Sequence, residues 1–332
     1  MSLADTAAGL AVLGLVAYAI FGGADFGGGI WDLFASGPRK DAQRKAIARA
    51  MGPVWEANHV WLIFAVVVVF ACFPPAFSAV SVALFAPMHF AVLGVVLRGA
   101  AFVFRSYGEP EHARRWGAIF GASSALTPVL LGAAAASLSS GHIRVRDHGI
   151  DAPTSAWLGP LPLAFGAFAL ALCAYQAAVF LCSETEGELR EDFRRRALWS
   201  GTAVVATSAA LPIALWLGRS PLVAGLARGA VAPVLICGVI AALVSGWALR
   251  ARRFSLARMA SAAQVGALVV GWALAMRPYL VYPDVTIASS AAPDTTLRFV
   301  LVTAPFGMAL LIPSLILLYR VFNLRPVEDR AS

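Results

Sequence analysis

Apolar residues in this chain come in long runs, with the polar residues collected in the gaps between them. A helix that spans a bilayer needs roughly 20 mostly apolar residues. Nine stretches qualify, at about 7–34, 54–73, 77–104, 116–138, 157–182, 197–217, 230–249, 256–276 and 299–322. Pro87, Pro128, Pro212, Pro305 and Pro313 fall inside them. Membrane bundles tolerate such prolines where neighbours satisfy the freed carbonyls. The pattern therefore predicts an all-α, polytopic membrane protein built as a single membrane domain.

Two gaps are longer and charged. SGPRKDAQRKAIARAMGP separates the first two runs, and SETEGELREDFRRRALW separates the fifth from the sixth. Both read as short amphipathic surface helices. Helix, charged segment, helix thus occurs twice, four helices apart. This suggests two four-helix bundles, over 1–138 and 157–276, with one peripheral helix at 299–322. Coincidental loop lengths would look the same.

Composition removes the soluble alternatives. Of 332 residues, 60% are hydrophobic and 13% charged, against about a quarter charged in soluble domains. The net charge of +8 does not point to nucleic acid, because the basic residues are spread over short gaps rather than gathered on one face. Most of the lysines and arginines lie in gaps one, three, five and seven and after the last run, among them Arg39, Lys40, Arg44, Lys45 and Arg49. That bias predicts an N-terminus outside and a C-terminus in the cytoplasm. The first run has no basic region before it and is long enough to span, so it reads as a permanent helix rather than a cleaved signal. Cys72, Cys173, Cys182 and Cys237 show no paired spacing and read as small core residues.

Ionisable groups within a bilayer are costly and usually serve a function. Here they gather in the first three runs. Asp25 lies in FGGADFGGGIWD, Glu56 and His59 in GPVWEANHVW, and His89 and Arg98 in the third run. With the orientation above, Asp25, Glu56, His59 and Arg98 all fall toward the cytoplasmic ends of their helices. Glu56 and His59, three apart, share a helix face. Gly23 and Gly27 form a small-xxx-small pair that lets another helix approach closely. Arg98 needs a carboxylate beside it, either Asp25 or Glu56. Three readings fit these residues: an ion-pair network that pins three helices, a proton relay open to the cytoplasm, and a metal or haem site. Glu56-x-x-His59 has the spacing of di-iron bundles, but those need a second such pair. No C-x-x-C-H is present, and His89 reads as a hydrogen-bonded interior histidine. Trp31, Trp55 and Trp61 fall near the boundary, where interfacial tryptophans are common. Gln176 is the most polar in-membrane group of the second half.

The run from Ala17 to Tyr107 resembles subunit II of cytochrome bd-type quinol oxidases, in the short branch that includes cyanide-insensitive oxidases. That family carries D-G-F-D-x-G-x-G in its first helix, where this chain has G-G-A-D-F-G-G-G with Asp25 at the second aspartate. A basic segment follows, then P-x-W-D-G-N-x-x-W, matched by Pro53-Val54-Trp55-Glu56-Ala57-Asn58-His59-Val60-Trp61. Arg98-Gly99, Phe102, Phe104 and Arg105 match the end of the third helix. RPYLVYPDVTIASSAAPDTTL resembles the last outer loop. Gly22 replaces the first aspartate of the helix-one motif, Glu56 the aspartate of the second motif and Ala57 a glycine. Val103 stands where some members carry an acid. A proton path that required all of those acids would be broken or rerouted here.

The resemblance implies two four-helix bundles plus a peripheral helix, and a haem-free partner of a larger subunit I in the bacterial inner membrane. Subunit I would carry two b-type haems and haem d, oxidise quinol and reduce dioxygen as part of the respiratory electron-transport chain. A quinone or lipid at the interface and a small single-helix accessory subunit are compatible with it. Asp25, Glu56, Asn58 and His59 would form a cytoplasmic proton path, with Arg98 as charge partner, Trp55 and Trp61 as walls, and no metal on this chain. A proton-coupled secondary transporter is the reading from another class, since a weak half-repeat and a polar cluster in glycine-rich helix fit it. A purely structural partner is the third.

Overall fold

The computed structural model describes residues 2–107, 112–146, 149–218 and 220–323. Its helices are α1 (Leu3–Leu33), α2 (Lys40–Cys72), α3 (Pro74–Ala83), α4 (Phe85–Tyr107), α5 (Ala113–Leu138), α6 (Ser155–Leu158), α7 (Pro160–Glu184), α8 (Gly187–Leu217), α9 (Leu222–Leu226), α10 (Val231–Arg250), α11 (Phe254–Met276) and α12 (Asp294–Asn323). Two small antiparallel hairpins complete it, β1 (Arg144–Arg146) with β2 (Gly149–Asp151) and β3 (Tyr279–Val281) with β4 (Val285–Thr286). Among the described residues eight helices are long and apolar enough to span, and α2 makes a ninth when its two arms are taken together. The chain is an all-α polytopic membrane protein.

The differences from the sequence expectation have local causes. The arms of α2, Lys40–Gly52 and Ala57–Cys72, meet at 45°, with Pro53 at the bend, where a proline lacks the N–H of the helical ladder. The third run is broken at Leu84 into α3 and α4. Pro87 cannot donate to Ala83, so the ladder has a gap at that point. The fifth begins with the single turn of α6, and α7 then starts with Pro160 at its first position, where a missing N–H costs nothing. Neither charged segment is a separate surface helix. The first is the leading arm of α2, and the second is the opening of α8, which runs unbroken from Gly187. Charged first turns extend these spanning helices beyond the apolar stretch.

Those turns tie the two halves together. The Arg39 guanidinium donates to both Asp192 carboxylate oxygens at 2.7 Å, Gln43 Nε2 donates to Asp192 at 3.0 Å, and Arg196 donates to Gln43 Oε1 at 2.6 Å. Below this arginine-rich face, α1 is the central element, packed on α2, α5, α7 and α11. α12 lies outside, against α2 and α1, and none of its spanning stretch is buried. Hydrocarbon does not drive helices together, so close packing must, and small residues allow it. Ala7, Ala57, Ala76, Ala136, Ala177, Ala178 and Ala197 are accordingly buried at the contacts. Cys72 and Cys182 are buried too, but Cys237 is exposed, a correction to its reading as a core residue. It sits on the outward side of α10, where lipid is as apolar as a core.

The opposite face is closed by the hairpins, which cover a core of Ala7, Ala11, Cys72, Phe73, Ile143 and Leu297. The Tyr282 amide donates to Leu138 O at 3.0 Å and the Ala292 amide to Cys72 O at 2.8 Å. Arg144 clamps the two hairpins through Asp284 at 2.9 and 3.1 Å, and the Val145 amide donates to the same carboxylate at 2.8 Å. The Arg144 hydrogen bonds hold Asp284 below its ordinary value of 3.8, against a smaller opposing effect of burial. A carboxyl whose folded value is depressed contributes stability above its unfolded value and loses it as pH falls through the folded one. Corrected for intrinsic exchange rates, protection of the Val145 amide should therefore be flat from pH 8 to about 5 and fall only in stronger acid. Asp284→Asn should abolish that acid step. A protection change centred near neutrality would show that another group controls the clamp.

Candidate functional site

Asp25 sits on the glycine-rich part of α1 and is fully buried. Arg98, from α4, is buried to 2% exposure and reaches it past α5. The guanidinium grips both carboxylate oxygens and also donates to the Asp25 backbone oxygen at 2.8 Å. Its Nε donates to Ser124 Oγ at 2.9 Å, and that hydroxyl donates to Phe120 O at 2.6 Å. The rings of Phe26 and Phe120 flank the cation, with centroids 5.2 and 4.9 Å away. Asp25, one of the two candidate carboxylates for Arg98, is bound to it.

Asn58 of α2 joins the cluster, its amide donating to Asp25 at 3.3 Å. Its Oδ1 is buried and has no partner. The Glu56 side chain lies outside the described residues. His59 Nδ1 is 2.8 Å from Trp55 O on its own helix, and its ring meets the Trp55 ring edge-on at 5.1 Å. Trp55 packs toward Gly99 of α4. The Trp61 ring lies against Phe64, with its indole N–H buried and unpartnered. Trp31 is a bridge, its indole donating to Ala174 O at 2.7 Å under the Arg196 guanidinium.

The glycines place α7 against Asp25's helix. A Cβ on Gly27 would lie 1.9 Å from Cys173 O, and one on Gly23 would collide with Gln176 Oε1. Gln176 uses that approach to donate to Ile20 O at 2.9 Å.

A second pair escaped the sequence reading. Arg105 of α4 donates to Asp32 of α1 at 2.6 and 2.9 Å. Asp32 is 1% exposed. Asp25 and Asp32 are seven residues apart, as are Arg98 and Arg105, so each pair lies two turns, about 10 Å, from the other. Matched seven-residue spacings of opposite charge on two helices were the available signal. It was obscured because Asp32 and Arg105 fall at helix ends and count toward topology. Beside this pair is a cavity of about 30 Å³ lined by Asp32, Ile47, Met51, Phe102, Arg105 and Phe120, large enough for one water. Phe120 separates it from Arg98.

His89 is not interior. It is exposed on α4, with Nδ1 2.7 Å from Phe85 O and its ring against Phe85. Its helix turns this position away from α5, which occupies the buried side. Each of these two histidines, His59 and His89, bonds a carbonyl four residues back on its own helix through Nδ1. Among the described residues no three histidine, cysteine or acidic side chains converge as a metal-binding group.

Breaking a buried ion pair costs about 3–5 kcal/mol, because one charge is left uncompensated. Arg98→Ala should cost that much, and adding Asp25→Ala should recover part of the loss. Arg105→Ala should cost less, since Arg105 is partly exposed. A double-mutant cycle on unfolding of the solubilised protein measures this, and strictly additive losses at Asp25 and Arg98 would refute the coupling. Gly27→Ala should destabilise by about 1–3 kcal/mol through overpacking. Gly9→Ala, where a Cβ meets nothing within 4 Å, should be neutral or slightly stabilising. Equal thermal midpoints for the two would contradict the close α1–α7 approach.

The family described as cytochrome bd terminal oxidase subunit II matches residues 3–322. Cytochrome bd ubiquinol oxidase subunit 2 of Bacillus subtilis is 28% identical over 180 residues, covering 53% of this chain and 52% of the relative. Cytochrome bd-I ubiquinol oxidase subunit 2 of Escherichia coli K12 is 28% identical over 201 residues, 58% of this chain and 51% of the relative. The chain thus spans about half the length of these two relatives in alignment. A chain in the structure of bd oxidase from Geobacillus thermodenitrificans shares the fold, with TM-score 0.83 and 24% identity over 98% of this chain and 100% of that one.

Proposed function

The chain belongs to the cytochrome bd terminal oxidase subunit II family, and on that premise we propose that it is a subunit of a respiratory quinol oxidase. In this reading it binds no haem and holds a larger haem-bearing subunit I in the bacterial inner membrane. It also helps bring cytoplasmic protons toward the site of dioxygen reduction. The haems of that partner, two b-type and haem d, supply the electron transfer and the oxygen chemistry. The observation that carries the reading is that residues of the first and third helix motifs, Asp25 and Arg98, meet in one buried cluster, as a shared architectural element would. The exposed ring of His89 on α4 supports a protein neighbour over that face, because lipid offers an imidazole no partner. The arginine bias supports an outside N-terminus and a cytoplasmic C-terminus. The helix pairings support two four-helix halves, 1–138 and 157–276, with 299–322 peripheral.

The proton role rests on a line of groups along α1. It begins at Asp32, held by the partly exposed Arg105 beside the water-sized cavity, and ends at Asn58 and Asp25. Glu56 and His59 are its further members on α2. A purely structural role also has a specific observation behind it, the grip of Arg98 on both oxygens of Asp25.

A reduced-minus-oxidised visible spectrum of the affinity-purified native assembly tests the family role. Haem bands with a second, larger subunit are expected. A colourless chain that purifies alone in good yield would move the reading to a transporter. Asp25→Asn and Glu56→Gln then separate the roles. The relay predicts an assembled oxidase with a normal haem spectrum, turning over about 10²-fold or more slowly, on the scale of lost proton transfer. Full-rate turnover in both variants rejects the relay. Loss of assembly and of haem bands in Asp25→Asn makes Asp25 a structural pin.

A further inference from the structure

Away from Asp25, the arginine-rich face holds a cleft of about 470 Å³ between the end of α7, the start of α8 and the turn from α10 to α11. Ser183, Arg190, Arg252, Arg253, Ser255 and Leu256 line it. The charges there do not cancel. Glu191 is shared between Arg194 at 2.9 Å and Arg252 at 3.3 Å, and Glu184 pairs with Arg258 at 2.9 Å. Among the described residues no carboxylate pairs with Arg190 or Arg253. Arg190 donates Nε to Thr185 O and lies over the Phe254 ring at 5.1 Å. Arg253 lies over the Trp247 ring at 5.2 Å. Rings hold both cations in place without neutralising them.

Two further features fit the same kind of ligand. α11 begins at Phe254 with no side-chain cap, so the amides of its first turn lack helical partners, and Phe254, Ser255 and Leu256 of that turn all line the cleft. Next to the cleft, Trp247, Leu243, Ile240 and Ile236 of α10 are exposed at the spacing of one helix face. That apolar stripe runs from the charged face toward the middle of the span.

We propose that this cleft is an anion site that binds a phosphate group, supplied by the headgroup of an anionic lipid whose acyl chains lie along Ile236, Ile240, Leu243 and Trp247. The guanidiniums of Arg190 and Arg253 take the phosphate oxygens, as planar donors suit that group, and the α11 amides add hydrogen bonds. Basic pockets between helices on this face of a membrane protein have the chemistry for phospholipid headgroups.

The test uses the chain in its native assembly, solubilised and stripped of lipid. Native mass spectrometry counts retained phosphatidylglycerol and phosphatidylcholine with the same short chains, and equilibrium dialysis measures radiolabelled inorganic phosphate. Wild type, Arg253→Ala and Arg253→Lys are compared. Arg253 is exposed, so neither variant should disturb folding, and the lysine keeps the charge. Wild type should prefer phosphatidylglycerol. Arg253→Ala should weaken it about tenfold, the scale of one lost charge-assisted hydrogen bond, and Arg253→Lys should keep most of the binding. Inorganic phosphate that binds wild type and is lost in Arg253→Ala, with the two lipids held equally, would keep the anion site and assign it to free phosphate. Lipid and phosphate binding both unchanged in Arg253→Ala would overturn the proposal.

Discussion

A guanidinium buried inside a bilayer needs a carboxylate beside it, and that requirement organises the first half of this protein. Arg98 spends most of its donors on Asp25, on that residue's own backbone oxygen and on Ser124. The aspartate must therefore be within reach of α4 although α5 stands beside it. The glycines around Asp25 follow from the same demand. Gly23 and Gly27 let α7 press against α1, and both members of the ion pair are buried. Removing water strengthens such a pair and raises the cost of breaking it.

Much of this was readable beforehand for a simple reason. Apolar run length is a strong signal, since the bilayer sets it, and a charge within a run stands out against it. Asp25, Arg98 and the glycine pair were visible on those grounds. That Asp25 itself meets Arg98 was not, because linear spacing carries no distance between helices. The Asp32–Arg105 pair and the Arg39–Asp192 link were missed for a different reason. Charges at the ends of spans read as topology signals, and nothing in one gap names its partner in another. His89 was misjudged because a polar residue within an apolar run reads as interior, whereas this one is exposed on α4.

The ends of the molecule are held by different means. One face is closed by backbone hydrogen bonds and small hairpins, with arginine clamps on Asp284 and Asp5. The other is held by side chains of the charged segments, which link the opening of α2 to the opening of α8. Those segments are continuous with their helices, so α2 runs from the arginine-rich surface to Asn58. The bend at 45° in α2 lies between the two. The polar cluster is thus joined through α2 to the face from which, in the oxidase reading, protons would arrive.

That geometry narrows how a proton could travel. Asp25 has both oxygens committed to Arg98, and both side chains are buried. Asn58 offers an unpartnered Oδ1 next to it, and Asp32 sits beside a cavity that fits a water. Mobile protons, if this subunit conducts them, would then pass along groups that Asp25 and Arg98 hold in position, with Phe120 as the wall they must get around. A route of this kind tolerates Gly22 in place of a first-motif acid, because the pinned pair sets the local field and the conduction falls to its neighbours.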